Sequence, residues 1–442
     1  MKAPLSVSLL LSIRLFSSMA SNARLLFPLV LICFCTVTIA KEGPFLPNSV
    51  ILPVTKDIAT HQYVTQIYIG DQPLAPTKLV IDITGSSSWI DSAHLLSSSG
   101  HPRPFGCFSL QCSLAEANSC TRPSRTSRNT CTLEAENPIT NMVTRGELTE
   151  DIIAVQVTDG IKTGLASVPH FLFSYVPALL LRGLGDGVKG VLGLGNTRIS
   201  LPSQVADAFS FQRTFSLCLS SSNGALIAGE IPYVLPHNND VAKSLMYTPL
   251  VFREGSKVQG YYINVKSIKI NGKKLSINES LLSVNQEGVG GTKISTTVPS
   301  TTMVSTLYNT FIKAYIKAAI GMNMTMAPPV APFGICFRSE GLEANRDASN
   351  VPIIDLVLQS EMVKWRIEGR NSLVQVNDKV MCLGFLDGGS SSKDSVVLGG
   401  YQLEDNLLEF KLGTKMLGFS ALAMGHTTCS NLRSSYIPRE AF

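Results

Sequence analysis

At 442 residues, with 45% hydrophobic and 16% charged side chains, the chain can bury the cores of two lobes, which excludes a disordered or fibrous protein. Its formal charge of +5 falls to +2 without the first forty residues, because Lys2, Arg14 and Arg24 lie there with no acidic residue. So mild a basic balance gives no argument for a nucleic-acid partner, and the run Arg122, Arg125, Arg128 reads as a solvated loop.

The N-terminus carries an apolar run, Leu25 to Ala40, preceded by Arg24 and ending in small residues before Lys41. That pattern predicts a secretory signal peptide over residues 1–40, too short and wrongly flanked for a spanning helix, with Met19 as an alternative start. Once it is removed, nothing in the pattern calls for a membrane. Of ten cysteines, eight remain without Cys33 and Cys35, and an even number in a secreted chain predicts four disulfides. Cys107, Cys112, Cys120 and Cys131 cluster in one loop-like stretch, whereas Cys218, Cys336, Cys382 and Cys429 are spread out, and the connectivity stays open. No pair is spaced CxxC and no histidine cluster accompanies them, so no metal or cofactor is expected. Asn278-Glu279-Ser280 and Asn323-Met324-Thr325 are glycosylation acceptors, in keeping with secretion.

Alternating and β-branched runs follow one another along the mature chain: His61 to Gly70, Thr77 to Ile83, Glu150 to Val157 and Tyr261 to Ile270. Separated by Gly, Pro, Ser and Asn clusters, they predict an all-β protein with a few short helices. One helix is expected over Leu201 to Phe209, with Pro202 in its first turn. Another follows Ser300, with Leu307, Phe311 and Tyr315 on one face. Gly185 to Gly190 matches GxGxxG, but the apolar segment after it makes these turn glycines rather than a dinucleotide site. Met322, Met324 and Met326 read as loop or core filling. Val191-Leu192-Gly193 and Val397-Leu398-Gly399 echo each other across two halves, so the chain reads as two related lobes, residues 44–245 and 246–433, before a tail at 434–442.

Ile81 to Trp89, IDITGSSSW, has the build of an aspartic-peptidase catalytic turn, with Asp82 as the acid. Its hydroxyl position is Ile83 and its glycine position is Thr84, with Gly85 one place late. Such an enzyme needs two carboxylates sharing one proton, one polarising the carbonyl and the other activating water. About two hundred residues on, Gly290 to Tyr315 repeats strand, hydroxyl-rich turn and helix, but Ser295 stands where the second Asp belongs. No other Asp-Thr-Gly or Asp-Ser-Gly replaces it, and the flap region Asn141 to Asp151 has no tyrosine.

With these turns, glycines and cysteines in order, the chain resembles the pepsin-like aspartic peptidases. It is most similar to the plant branch of xylanase inhibitors, extracellular dermal glycoproteins and basic 7S globulins. The likeness runs from about Pro44 to about Leu432 and rests on Trp89-Ile90-Asp91, GLGNTRISLPSQ, GGTKIST, Ala331 to Phe337, Val351 to Gln359 and Gly399 to Phe410. It implies a two-lobed pepsin-like acid-protease fold. A serine at position 295 is typical of these inactive relatives, and the resemblance implies that Asp82 is a remnant. In the first lobe, Ser92 and Tyr175 stand where the branch has cysteines that would pair with each other. Each missing bridge forfeits about 2–4 kcal/mol of restraint on the unfolded chain.

What the resemblance implies about function is binding and inhibition of cell-wall-degrading glycoside hydrolases, xylanases or endoglucanases, in the apoplast. A histidine just before the last cysteine enters the target's cleft in a xylanase inhibitor of this family, which makes His426 the candidate inhibitory residue here, three residues before Cys429. An imidazolium between two carboxylates is a strong charge-assisted contact. Three other readings stand beside it: residual aspartic endopeptidase activity, binding of a small peptide ligand, and storage.

Overall fold

The computed structural model describes residues 47–70, 74–94, 103–117, 119–121, 129–160, 162–230, 234–235, 239–240, 244–252, 260–340, 350–421 and 428–430. The expected signal peptide, Met19, the Arg122–Arg128 run, His426 and the tail at 434–442 lie outside them.

The centre of the fold is a sheet to which each half contributes three strands. Strand β1 (Ser49–Lys56) pairs antiparallel with Asn223–Gly229, which pairs with Thr214–Cys218. Thr214–Cys218 pairs in turn with Asn406–Lys411 from the second half, then come Met416–Ala421 and Met246–Val251. The seam lies between Thr214–Cys218 and Asn406–Lys411, where Phe215 and Phe410 stack 4.6 Å apart and Tyr261 tilts 4.8 Å from Phe410. All three rings are fully buried, and the Tyr261 hydroxyl donates to the Leu194 carbonyl at 2.8 Å. A buried phenol loses solvation unless its O–H finds an acceptor, so this bond fixes the rotamer at the seam.

Each half also holds the same three-strand device. Strand β2 (Tyr63–Ile69) pairs with β3 (Ala75–Asp82), and the strand Gly190–Gly193 runs parallel to β3 and antiparallel to β4 (Trp89–Asp91). In the second half Val396–Leu398 runs parallel to Thr292–Ile294 and antiparallel to Thr301–Met303. The two echoing Val-Leu-Gly stretches therefore sit where the sequence placed them, behind the two turns. The helices follow expectation too: Leu201–Phe209 carries Pro202 in its first turn, and Ser305–Gly321 buries Leu307, Phe311 and Tyr315. Gly185 to Gly190 is a turn leading into a strand, with Gly187 at φ 71°, and Met324 is buried.

Tyr261 to Ile270 is not one strand. Tyr262–Ile263 pairs with Thr292–Ile294, whereas Ser267–Ile270 belongs to a separate four-stranded sheet beside Ile354–Ser360. The apolar parity slips by one at the break, from buried Tyr261, Ile263 and Val265 to buried Ile268 and Ile270, as the chain passes from one sheet to the other.

Four disulfides close the eight cysteines: Cys107–Cys120, Cys112–Cys131, Cys218–Cys429 and Cys336–Cys382. Of the two positions for which the resemblance implies a further bridge, Tyr175 faces Ile90 where β4 pairs with Thr163–Val176, and Ser92 follows the end of β4 at Asp91. The Tyr175 hydroxyl donates instead to the Glu147 carboxylate, and burial first, then that carboxylate, push its pKa up. Among the described residues no helix is long and apolar enough to cross a membrane.

His94, just past β4, places Nε2 2.9 Å from the Thr77 hydroxyl. Burial and, second, the Lys189 charge hold its pKa below the ordinary 6.5, with Asp91 opposing. The unfolded chain therefore takes up a proton at higher pH than the native one. Stability is full above pH 6.5 and declines as pH falls from there towards the native value. In chemical denaturation across that window, His94→Gln is expected to flatten the decline; an unchanged profile would assign it to other groups.

Candidate functional site

The sequence runs Val80-Ile81-Asp82 into the first turn with every residue buried, so the carboxylate arrives at the end of a strand with little water around it. Asp82 is 6% exposed, and its Oδ1 accepts from both the Thr84 amide and the Thr84 hydroxyl at 2.8 Å. Thr84, at the glycine position, thus supplies a hydroxyl to hold the acid. The glycine one place later is still required: a Cβ on Gly85 would lie 3.1 Å from the Gly193 Cα and 3.2 Å from Asp82 Oδ2.

The second turn copies this with a different acceptor. Ser295 is 3% exposed, follows Thr292–Ile294, and takes its amide bond to the Leu398 carbonyl. Its Oγ lies 3.1 Å from the Thr297 hydroxyl and accepts from the Thr297 and Val298 amides at 3.3 Å. The serine hydroxyl is thus engaged by its own turn, as the Asp82 carboxylate is by Thr84.

The two turns touch through Thr296. Its hydroxyl donates to the Ile81 carbonyl at 2.7 Å and accepts from the Ile83 amide at 3.3 Å, across an interval of more than two hundred residues. Ile83, its counterpart in the first turn, has no hydroxyl to return the contact, so the cross-link is made from one side. Thr296→Val keeps the shape and removes that hydroxyl, and is expected to cost about 1–3 kcal/mol in denaturant unfolding. A loss below about 0.5 kcal/mol would mean that the turns are held by packing alone.

Above Asp82 lies the hairpin of Thr130–Glu136 and Val143–Thr158. Its tip is fixed by Asn137, whose Oδ1 accepts from the Ile139 and Thr140 amides and whose amide nitrogen reaches the Leu180 and Arg182 carbonyls. Trp89 Nε1 donates to the Glu136 carbonyl at 3.0 Å, pinning the hairpin to β4. The Glu136 carboxyl is shifted up, by partial burial first and then by the Asp82 charge, with Lys293 pulling it down. Glu136 thus senses both the negative charge of Asp82 and the positive charge of Lys293. The sequence pointed to Asp82 and Ser295; Glu136 carried no local signal, because it sits on the other strand of the hairpin from the Asn141 to Asp151 stretch.

Chemically, the paired turns carry one carboxylate, Asp82, and one hydroxyl, Ser295, each held within its own turn. That pair can hold a polar group by hydrogen bonds; it lacks the second carboxylate that proton sharing needs. His426 lies outside the described residues, but the anchor just after it is in place: Cys429 bonds to Cys218, and its amide donates to Asp405 Oδ1 at 2.9 Å. Asn278 and Asn323 are both exposed, and Asn278 Oδ1 accepts from the amide and hydroxyl of Ser280 within its own triplet.

Two family models match, described as xylanase inhibitor N-terminal over residues 63–230 and xylanase inhibitor C-terminal over residues 260–421. The chain is 44% identical over 433 residues to probable aspartic proteinase GIP2 of Nicotiana benthamiana, covering 92% of this chain and 98% of that one. It is 38% identical to gamma conglutin 1 of Prunus dulcis, covering 88% and 90%. Among solved structures, edgp superposes with a TM-score of 0.84 at 44% identity over 88% of this chain and 99% of that one. Basic 7S globulin from soybean gives 0.76 at 33% identity over 87% and 98%.

Proposed function

The chain belongs to the xylanase-inhibitor family of pepsin-like proteins, and from that we propose that it is a secreted inhibitor of glycoside hydrolases without peptidase activity. Its targets are xylanases or endoglucanases that degrade cell walls, met in the apoplast after removal of residues 1–40. The inhibitory surface is formed by loops of the second lobe, residues 246–433, including the one that carries His426. Asn278 and Asn323 are its glycosylation sites.

The observation that weighs most is Ser295. It sits in an intact second turn, on an intact scaffold, with its hydroxyl taken up by Thr297 and Val298. The scaffold has been kept while the proton-sharing pair that cleaves peptides has not. Removing one member of a catalytic unit costs orders of magnitude in rate, so a role that survives the loss must use the surface rather than the cleft chemistry. The family name supports a glycosidase as the partner.

The experiment is to titrate the purified protein against a panel of xylanases and endoglucanases while assaying the same sample for acid proteolysis. The expected result is one-to-one inhibition of at least one glycosidase, weakened by His426→Ala, with no proteolysis. Proteolysis abolished by Asp82→Asn would overturn the reading in favour of an unconventional peptidase. Silence in both assays would transfer the case to peptide binding or storage.

A further inference from the structure

Away from the inter-lobe cleft, a cavity of about 530 Å³ opens between the helix Leu201–Phe209 and the strand Thr163–Val176. We propose that it binds a small amphipathic monocarboxylate, an organic acid with an apolar body and a single carboxylate head.

A bulge lines one side of the cavity. In the ladder between Val143–Thr158 and Thr163–Val176, Asp151 faces Phe171 but Ile153 faces Val168, so Pro169 and His170 oppose Ile152 alone. His170 takes φ 55°, and such a bulge bends a strand and breaks its pairing locally. The helix stays attached on one side of the gap: Gln204 accepts from the Leu172 amide and donates to the Leu172 and Ile199 carbonyls at 2.7–2.8 Å. Being fully bonded, Gln204 is a fixed wall rather than a free polar group.

The floor is apolar, made by buried Val168, Leu172 and Ile199. The rim carries two guanidinium groups. Arg213 uses Nε on the Ser203 hydroxyl and one Nη on Asn196, both at 3.1 Å, which leaves other N–H groups to donate. Arg198 is exposed, lines the same opening, and has no hydrogen bond or ion pair among the described residues. Asp207 lines the rim with no ion-pair partner among the described residues, and His170 Nδ1 lies 3.3 Å from a Glu150 carboxylate oxygen. The two guanidinium groups offer donors to one anionic head, while the Asp207 and Glu150 carboxylates nearby disfavour a dianion. The volume lies within the range of small-molecule sites, and an apolar floor with a few converging donors is their usual make-up. A planar carboxylate is the anion that matches a guanidinium fork.

The test is titration calorimetry of the mature protein with octanoate and, separately, with 1-octanol, which has the same apolar body and no charge. Octanoate is expected to bind saturably at one site. Arg198→Gln should weaken octanoate about tenfold or more, the factor carried by a charge-assisted hydrogen bond, and leave 1-octanol unchanged. Ala208→Trp, at an exposed lining position on the helix, should block both ligands while the melting curve stays cooperative. No saturable octanoate binding would overturn the proposal. So would octanoate binding indifferent to both substitutions, which would place the ligand elsewhere.

Discussion

Truncating Glu404 to alanine is expected to cost about 3 kcal/mol or more, because it leaves a lysine with no counter-charge where the two halves meet. Lys56, the last residue of β1, reaches Glu404 Oε1 at 2.7 Å, and the Tyr63 hydroxyl donates to the same oxygen at 2.8 Å. The side chains are 13% and 7% exposed for Lys56 and Glu404, so the pair sits in low dielectric and is weakly screened. Burial first, then the Glu404 charge, hold the Tyr63 phenol well above its ordinary 10, which keeps it a donor at every pH of interest. The ammonium also lies 5.7 Å from the centroids of Tyr63 and Tyr401, so it is surrounded by groups arranged for a cation. Without Glu404, both the ammonium and the phenol lose their acceptor.

The mechanism has its own control. Lys56→Met with Glu404→Leu removes both charges and keeps the volume, and should cost less than Glu404→Ala alone, since a buried pair contributes little net energy while a broken one is expensive. Denaturant unfolding of the two singles and the double gives the coupling. Equal losses in single and double variants would show that packing around Gly400, whose Cβ would lie 2.4 Å from the Tyr63 ring, carries the stability instead.

Much of this architecture was legible because it is repeated. Val191-Leu192-Gly193 and Val397-Leu398-Gly399 each follow an apolar strand and turn, and their roles behind Asp82 and Ser295 are those the repetition implied. What was not legible depends on which distant segments share a neighbourhood. Lys56 and Glu404 are 348 residues apart, and Glu136 approaches Asp82 only because Asn137 and Trp89 fix the hairpin above it. Tyr261 to Ile270 looks like one strand by composition, yet its apolar parity slips between Val265 and Ile268, where the chain leaves one sheet for another. The cysteine cluster shows the same limit: Cys107–Cys120 and Cys112–Cys131 interleave within one stretch, where spacing alone admits every pairing. The bulge at Pro169 and His170 also left no pattern, because two residues facing one look like ordinary alternation with a slip.

Ser295→Asp places a second carboxylate opposite Asp82 and tests how closely the two turns converge. The turn has the donors to receive it, since the Thr297 and Val298 amides already point at Ser295 Oγ, and Thr296 holds the facing strand ends together. With Asp82 6% and Ser295 3% exposed, two ionised carboxylates would share a dry space, and one of them must keep its proton. A carboxyl whose native pKa is raised contributes full stability below its unfolded value of about 3.9 and loses it as pH rises through the native value. The variant should therefore unfold about 1–3 kcal/mol more easily than the parent at pH 7 and recover most of the difference near pH 4, a shift of one to two pKa units in the pair. A deficit that does not change with pH would mean that the two positions do not sense each other. Acid proteolysis is expected to stay at trace level, because Ile83 still lacks the hydroxyl that would return the contact from Thr296, and Thr84 and Thr297 still fill both glycine positions. Robust hydrolysis, lost again on adding Asp82→Asn, would instead make Ser295 the only barrier between this cleft and a working peptidase.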